Sequence, residues 1–311
     1  MPSKGYNHPK STAMFKKFSF LIGILLSLNL TAQEDSTPPP PDGWSNEGKI
    51  QLLFNQTAFN EEWTGGGTSS IAGNLSLDYN FNYRSGSFTW DNKILANYGL
   101  TKLEDDDYTR KTSDRLEFNS IAGKQLEDSE WYYSFFTNFR TQFSKGYEYS
   151  EDAETGEVLR TETTNFLSPA YLQFGPGMMW KKNENFHVNI APATARFIFV
   201  DSYFTSLPGY SDGAYYGVDQ GESSRFELGA SVGAYAKFAL VENVSMENSL
   251  SLYSNYLENP GNIDIDYLMN LDMAINSFLS ANLIFQAIYD DNAVGAFQIR
   301  EVFGLGLNIG I

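Results

Sequence analysis

Histidine is the side chain that most often serves as a general base near neutral pH, and this chain of 311 residues contains two. His8 lies in the N-terminal stretch, and His187 begins a segment in which polar and apolar residues alternate. Nucleophilic hydrolysis needs a serine and an orienting carboxylate or amide beside the base. His187 falls on the polar face of its segment, which favours a structural polar role over that of a base. We predict no catalytic residue and no enzymatic activity.

Three acidic runs could bind calcium through carboxylate oxygens: Glu104–Asp107, Asp264–Asp266 and Asp290–Asp291. None has the spaced ligands and turn glycine of a dedicated calcium loop, so solvated loop charge is the favoured interpretation. No lysine or helix start follows Gly65–Gly67, which indicates a tight turn beside Trp63 and not a phosphate cradle. The sequence contains no cysteine, which excludes disulfides and zinc–thiolate sites. We predict no metal site and no cofactor.

The elements that would position these residues are strands. From Lys49 onward apolar and polar residues alternate with period two, as in Ile71–Tyr83 and Ile265–Ile275. Pro176 and Pro192 interrupt two strands, where the missing ladder donor predicts a bulge. We predict an all-β fold of about twelve antiparallel strands. They span 49–57, 70–83, 87–101, 114–124, 130–143, 166–180, 186–200, 225–240, 244–256, 264–275, 279–290 and 297–311.

Two patterns separate a transmembrane β-barrel from a soluble sandwich or lipocalin-like barrel. Connections alternate in length, with short ones such as Arg84–Gly86 and Lys181–Asn185 at one end and long ones at Ser144–Asn165 and Asp201–Ser224 at the other. Aromatic residues also concentrate at predicted strand ends on the apolar parity, as expected at lipid headgroups. The mean hydropathy of −0.33 is too polar for a helical membrane protein. We therefore predict a transmembrane antiparallel barrel with short periplasmic turns and long extracellular loops.

The N-terminal region has the pattern of an export signal. Two lysines precede the apolar stretch Phe18–Leu30, and a small residue follows at a position suited to cleavage. We predict that translation begins at Met14, the residues before it being an over-long gene start. The predicted organisation is a signal peptide over 1–32, a Pro-rich periplasmic leader over 33–47 and an outer-membrane β-barrel over 48–311.

The polar face of the strands would line the lumen. Leu271 and Leu283 are expected to face lipid, with Asp272 and Asn282 facing a wet lumen. A twelve-stranded barrel leaves a pore of at best about 10 Å, which paired charges could close. The predicted lumen-lining residues are Asp78, Asp91, Lys93, Arg115, Glu117, Arg140, Lys237, Asp272 and Arg300, and the same face carries Lys49, Arg225, Glu227, Glu247 and Asp266.

Three functions are compatible with this pattern. The leading hypothesis is a channel or transport barrel for small polar solutes, because the lumen face is charged and rich in Asn and Gly. The alternative is a non-conducting structural or interaction barrel that binds a partner through its long loops or through the leader with Trp44. A rim-sited lipid hydrolase is the weakest, since His187 has the lumen parity at the periplasmic end. The expected partner is the outer-membrane bilayer; the net charge of −17 argues against nucleic acid.

Several stretches resemble a Bacteroidota outer-membrane β-barrel family of unknown function, the domain of unknown function 3078. The resemblance covers roughly residues 49–180, implies an outer-membrane barrel and implies no activity. It is carried by Gln56, Trp63, Gly66, Gly67 and Ser70; Trp90-Asp91-Asn92 with Tyr98-Gly99; Lys111-Thr112-Ser113-Asp114-Arg115; Arg140-Thr141-Gln142-Phe143 with Gly146-Tyr147; and Leu167-Ser168-Pro169-Ala170-Tyr171.

Overall fold

The computed structural model describes residues 41–60 and 67–311; His8, Trp63 and the predicted signal peptide lie outside these ranges. The described residues contain one short helix, α1 (Ser202–Thr205), and none that is long and apolar enough to cross a membrane. Their strands are β1 (Gly43–Thr57), β2 (Ser70–Ser85), β3 (Phe88–Leu103), β4 (Arg110–Gln125), β5 (Trp131–Thr141), β6 (Gly146–Glu151), β7 (Val158–Thr164), β8 (Ala170–Asn183), β9 (Phe186–Phe199), β10 (Ser224–Val241), β11 (Val244–Asn255), β12 (Asp264–Ala274), β13 (Leu279–Tyr289) and β14 (Gln298–Gly310).

Twelve of these strands form one closed barrel, in the order β1-β2-β3-β4-β5-β8-β9-β10-β11-β12-β13-β14. Neighbours are antiparallel, and β14 returns to pair with β1 from Lys49↔Gly310 to Phe54↔Leu305. Closure leaves the barrel without a free edge. The predicted all-β, twelve-stranded antiparallel barrel is confirmed.

The two faces of the wall meet different surroundings. In the β12–β13 pair, Leu271 lies opposite Leu283 and Asp272 lies opposite Asn282, so one apolar and one polar row alternate across the ladder. The outward row is apolar even where it is exposed: Leu75 and Leu305 are 52% and 55% accessible. An apolar exterior around a polar interior is the arrangement of a barrel that spans a lipid bilayer.

The two rims differ in the length of their connections. At one rim, the turn end, strands are joined by 86–87, 126–130, 184–185, 242–243 and 275–278. At the other rim, the loop end, the connections are 58–69, 104–109, 142–169, 200–223, 256–263 and 290–297. This is the predicted alternation of short and long connections. Only connections at the loop end contain secondary structure of their own.

Aromatic side chains gather on the outer face at the turn end. The Trp44 ring lies 5.2 Å from that of Tyr83 and 5.7 Å from that of Trp90. Trp44 is part of β1, which begins at Gly43, although the sequence analysis placed residues up to 47 in the leader. The strand begins earlier because Gly43 and Trp44 pair with the end of β2. Trp44 is thus an interfacial residue of the wall.

The ladder between β8 and β9 is interrupted near its middle. Pairing runs to Phe174↔Ala195 and resumes at Met178↔Ile190, which leaves four residues of β9 facing three of β8. Pro176 and Pro192 lie in the interrupted segments, as the sequence predicts, because proline cannot donate to a ladder. The extra residue in β9 reverses the direction of the side chains that follow it.

Two of the long connections are folded at the loop end. β6 and β7 form a separate two-stranded hairpin inside 142–169, which the sequence analysis treated as plain loop. Segment 200–223 carries α1 and inserts Val218, which is fully buried, against Tyr171 and Ile198 on the barrel wall. The apolar cluster therefore covers the loop end of the lumen between β8 and β9.

Candidate lumenal site

All nine charged residues predicted to line the lumen lie on the inward-facing parity of their strands. Six of them border one lumenal cavity: Asp91, Lys93, Arg115, Glu117, Arg140 and Lys237. The other three join lumenal side chains by ion pairs or hydrogen bonds: Asp78 with Lys93, Asp272 with Lys49, and Arg300 with Gln286.

One ion pair crosses the lumen near its middle. Lys93 Nζ lies 2.5 Å from Glu247 Oε1 and 2.9 Å from Asp78 Oδ2. Lys93 belongs to β3 and Glu247 to β11, which are six strands apart in either direction around the barrel. The pair therefore joins diametrically opposite walls. The ammonium also lies 5.3 Å from the ring of Tyr235, which adds a cation–π contact.

A second crossing lies nearer the loop end and centres on Asp266. Arg115 Nη1 donates to Asp266 Oδ2 at 3.0 Å, and β4 and β12 are again opposite walls. Arg140 binds the same carboxylate oxygen, and Gln286 donates to the other oxygen at 3.2 Å. Arg115 also donates to Glu117 at 2.7 Å. Two guanidinium groups on one carboxylate hold the side chains at the barrel axis.

The loop end of the lumen is closed by a buried arginine. Arg196, 3% exposed, forms ion pairs with Asp264, with Asp290 at 3.4 Å and with Glu227 at 3.6 Å. Its guanidinium lies 5.0 Å from the ring of Tyr171 and 4.7 Å from that of Tyr253, on β8 and β11. Charge and aromatic packing together fill this half of the lumen.

A lumenal cavity of about 510 Å³, here called the chamber, extends from the turn end to the residues of the two crossings. Lys181 forms ion pairs there with Asp91 at 2.5 Å and with Glu184 at 3.0 Å. His187 also lines this chamber, with its ring 5.3 Å from that of Tyr235, as its predicted lumen parity implies. Among the described residues His187 Nδ1 and Asp91 Oδ1 have no hydrogen-bond partner. A chamber of this volume admits water to such atoms.

Asn282 does not face a wet lumen, contrary to the sequence analysis. It is 4% exposed, accepts a hydrogen bond from Gln51 Nε2 at 3.0 Å, and donates to Ser280. Gly306 allows this close packing, because a Cβ at that position would lie 2.7 Å from Asn282 Nδ2. The side of the lumen near β13 and β14 is therefore packed with hydrogen-bonded polar groups.

Arg196 was not among the predicted lumen-lining residues because of the bulge in β9. With His187 facing inward, strict alternation would place Arg196 on the lipid face. The register shift between β8 and β9 turns it inward instead. One signal was present: an arginine on the lipid face would cost about 2–4 kcal/mol at mid-bilayer, so arginine after an in-strand proline indicates a change of parity.

Several solved structures align with most of this chain at about 10% identity and with TM-scores below 0.5. The translocator domain of the autotransporter NalP from Neisseria meningitidis shares 10% identity over 96% of each chain, with a TM-score of 0.40. An outer-membrane channel from Pseudomonas putida F1 shares 11% identity over 87% of this chain and 96% of that one, with a TM-score of 0.38. The Pseudomonas putida toluene transporter TodX shares 11% over 87% and 89%, with a TM-score of 0.28. No curated protein matches this chain in sequence.

A family model matches part of this chain, residues 54–147. The matched region runs from the end of β1 to the start of β6 and includes the Trp90, Lys111–Arg115 and Arg140–Phe143 motifs. Two of the charged residues that cross the lumen, Lys93 and Arg115, lie within it. The predicted family resemblance is confirmed: residues 54–147 match the family described as Protein of unknown function (DUF3078).

Proposed function

We propose that this protein is a non-enzymatic outer-membrane transport barrel for small polar solutes, whose lumen is closed at rest by side chains. One observation carries the proposal: the ion pairs Lys93–Glu247 and Arg115–Asp266 join opposite walls directly beside a polar-lined chamber of about 510 Å³. Separation of these pairs, together with displacement of Arg196 from its carboxylates, would connect the chamber to the loop end.

The character of these pairs supports a gate over a structural core. An interior evolved only for stability can replace buried ion pairs with apolar side chains at no loss, often with a gain. The Lys93 and Glu247 side chains are 17% and 19% exposed, so water reaches both partners. Because water reaches both charges, they can separate without leaving a dry, unpaired charge behind.

The apolar exterior and its aromatic rim, together with the predicted signal peptide, support the proposed placement in the outer membrane. In the proposed orientation the turn end faces the periplasm and the loop end faces the cell exterior. The tip of the β6–β7 hairpin, Glu154–Glu157, is exposed and makes a suitable protease target. Proteinase K added to intact cells is expected to cut at this tip and to spare the turn at 184–185. Cleavage at the turn with an intact hairpin would contradict the orientation.

Planar-bilayer conductance of the refolded protein tests the gate. The double variant Glu247→Ser, Asp266→Ser removes the acceptor of both crossings, while Lys93 keeps Asp78 and Arg115 keeps Glu117. We expect small or rare openings in the wild type and clearly larger conductance in the variant. The matched control is Glu162→Ser, which removes an acid from the exposed loop pair with Lys145. A double variant that conducts no better than protein-free bilayers would refute a gate formed by these two ion pairs.

One observation favours a second candidate, an interaction barrel. The folded loop end presents large apolar side chains: Leu159, Phe166 and Tyr203 are 48%, 55% and 60% exposed. A protein that docks there would need no open lumen. Absence of conductance in both wild type and double variant, with correct folding, would support this candidate. A rim-sited lipid hydrolase gains no support, because His187 points into the chamber at the turn end.

A further inference from the structure

Two acidic runs that are separate in sequence meet at the loop end of the lumen. Asp264 begins β12, and Asp290 and Asp291 follow the end of β13, its neighbour in the barrel. One carboxylate oxygen from each of the three residues lies within 4.8 Å of the others. Carboxylates at this spacing repel one another unless a cation lies among them.

The cations of the chain neutralise this cluster only in part. Arg196 pairs with Asp264 and Asp290, but among the described residues no ion pair reaches Asp291, whose Oδ2 accepts from Asn262 Nδ2 at 2.7 Å. Arg225, the nearby second guanidinium, is shared between Glu227 at 2.9 Å and Glu258 at 2.5 Å. Five carboxylates thus face two guanidinium groups, and negative charge remains.

A second, independent feature lies beside the cluster. Asp264 and Asp291 line a cavity of about 10 Å³, the size of one water molecule or ion, together with Tyr253 and Glu227. Tyr253 and Glu227 are 3% and 1% exposed. The Tyr253 hydroxyl has no hydrogen-bond partner among the described residues. The carboxylate of Glu227 forms ion pairs with Arg225 and Arg196, but neither of its oxygens accepts a hydrogen bond there. Buried polar atoms are rarely left without a partner, so these oxygens point to a ligand in the cavity.

We propose that this cluster binds one calcium ion, through carboxylate oxygens of Asp264, Asp291 and Glu227. All the donors that line the cavity are carboxylate, amide or hydroxyl groups, the hard oxygen ligands that calcium prefers, and no imidazole or thiol that would favour zinc or copper is among them. Two oxygens on opposite sides of calcium lie about 5 Å apart, which accommodates the spacing of the aspartates. The irregular donor arrangement suits calcium better than magnesium, which requires near-octahedral geometry.

The site would tie together parts of the loop end that the barrel wall does not connect directly. Glu227 comes from β10, Asp264 from β12 and Asp291 from segment 290–297. An ion bound to all three stabilises the folded loop end over the unfolded chain by mass action. This inference is independent of whether the lumen conducts, because it concerns only groups on the loop-end side of the crossings.

Calorimetric titration of calcium chloride into the refolded full-length protein tests the proposal, paired with thermal unfolding in calcium and in chelator. We expect one site in the wild type with a dissociation constant of about 10⁻⁴–10⁻³ M, as in extracellular calcium modules, and a higher unfolding temperature in calcium. Asp291→Asn is expected to weaken binding about tenfold or more and to abolish the shift, because ligand charge sets the affinity. The matched control, Asp107→Asn, changes an exposed acid of another acidic run and should leave both unchanged.

Terbium luminescence locates the ion without altering a carboxylate. Energy transfer from Tyr253 should give sensitised emission that calcium displaces, and Tyr253→Phe should reduce this emission in a protein that still folds. Equal calcium binding by wild type and Asp291→Asn, no calcium-dependent change in unfolding temperature, or unchanged emission in Tyr253→Phe would each overturn the proposal. The last result would place bound ions elsewhere on the acidic surface.

Discussion

The two halves of the lumen are built from the same strands but are filled differently. Towards the turn end the wall encloses the chamber of about 510 Å³, whereas the cavity beside the loop-end cluster measures about 10 Å³. The same twelve strands line both halves, so strand number does not cause the difference. Segment 200–223 and the β9 bulge do, because they bring Val218 and Arg196 into the loop-end half. The inserted segment and the bulge therefore determine which half of the lumen stays open.

Two charged side chains, one from each half, differ in how far they are exposed to water. Arg196 is almost fully buried among three carboxylates, so removal of either side leaves dry, unpaired charge. Lys237 lines the chamber and is exposed, so water replaces any partner it loses. Removal of the Arg196 charge should therefore be costly, whereas removal of the Lys237 charge should be tolerated.

The largest expected effect is that of Arg196→Met. This change leaves Glu227, Asp264 and Asp290 without their shared cation and should lower the free energy of unfolding by about 3–5 kcal/mol. Lys237→Met, the control in the chamber, should change it by no more than about 0.5 kcal/mol. Urea unfolding of both refolded variants in detergent micelles provides the measurement. Similar losses for the two variants would show that the halves do not differ in this way.

The next effect compares the outer face with the chamber. Leu283→Arg places a charge at mid-bilayer and should cost about 2–4 kcal/mol, while Ser249→Arg, on the chamber wall, should cost far less. Asn282 is unsuitable as the inward control, because it is packed against Gln51 and Ser280. Arginine moved along the outward row from Leu279 to Tyr289 should be worst near Leu283, and thinner bilayers should narrow the penalised zone. A penalty independent of lipid thickness would argue against a membrane-spanning wall.

Thiol labelling gives a smaller but direct contrast between the halves. The chain has no cysteine, so a single introduced thiol reports on its own site. Ser249→Cys lines the chamber and should react with a small polar maleimide in the folded protein. Thr205→Cys lies in α1 at a fully buried position and should react only after unfolding. Rapid labelling of both positions would mean that the loop end opens as readily as the turn end.

The smallest effect is expected outside the lumen, at the loop pair Lys145–Glu162. The hydrogen bond and charge of Glu162 raise the pKa of Lys145, so any stabilisation is fully present below pH 10.5 and is lost as the pH rises through the raised value. The Lys145 side chain is 59% exposed, and exposed pairs contribute little. The variant Lys145→Gln should unfold at the same urea midpoint as the wild type. A clear decrease at neutral pH would show that the hairpin is coupled to barrel stability.

Most of the wall was predictable because its information is local. A strand that has lipid on one face and water on the other must alternate, so the segments around 70–83 and 264–275 identify themselves without reference to the rest of the chain. The same reasoning fixed the inward direction of Asp78, Lys93 and Arg115 and the bulge at the two prolines. The β6–β7 hairpin escaped prediction because neither of its faces is set against lipid.

The filling of the lumen was decided by tertiary structure. The alternation of polar and apolar residues along β3 predicts that Lys93 points inward. Only closure of the barrel places Lys93 opposite Glu247 and not opposite another acid. A single extra residue in β9 turns Arg196 towards Asp264 and Asp290, and the pairing of β12 with β13 brings those two acids together. Such contacts depend on strand number, register and loop insertion at once, and side-chain pattern along one strand contains none of these quantities.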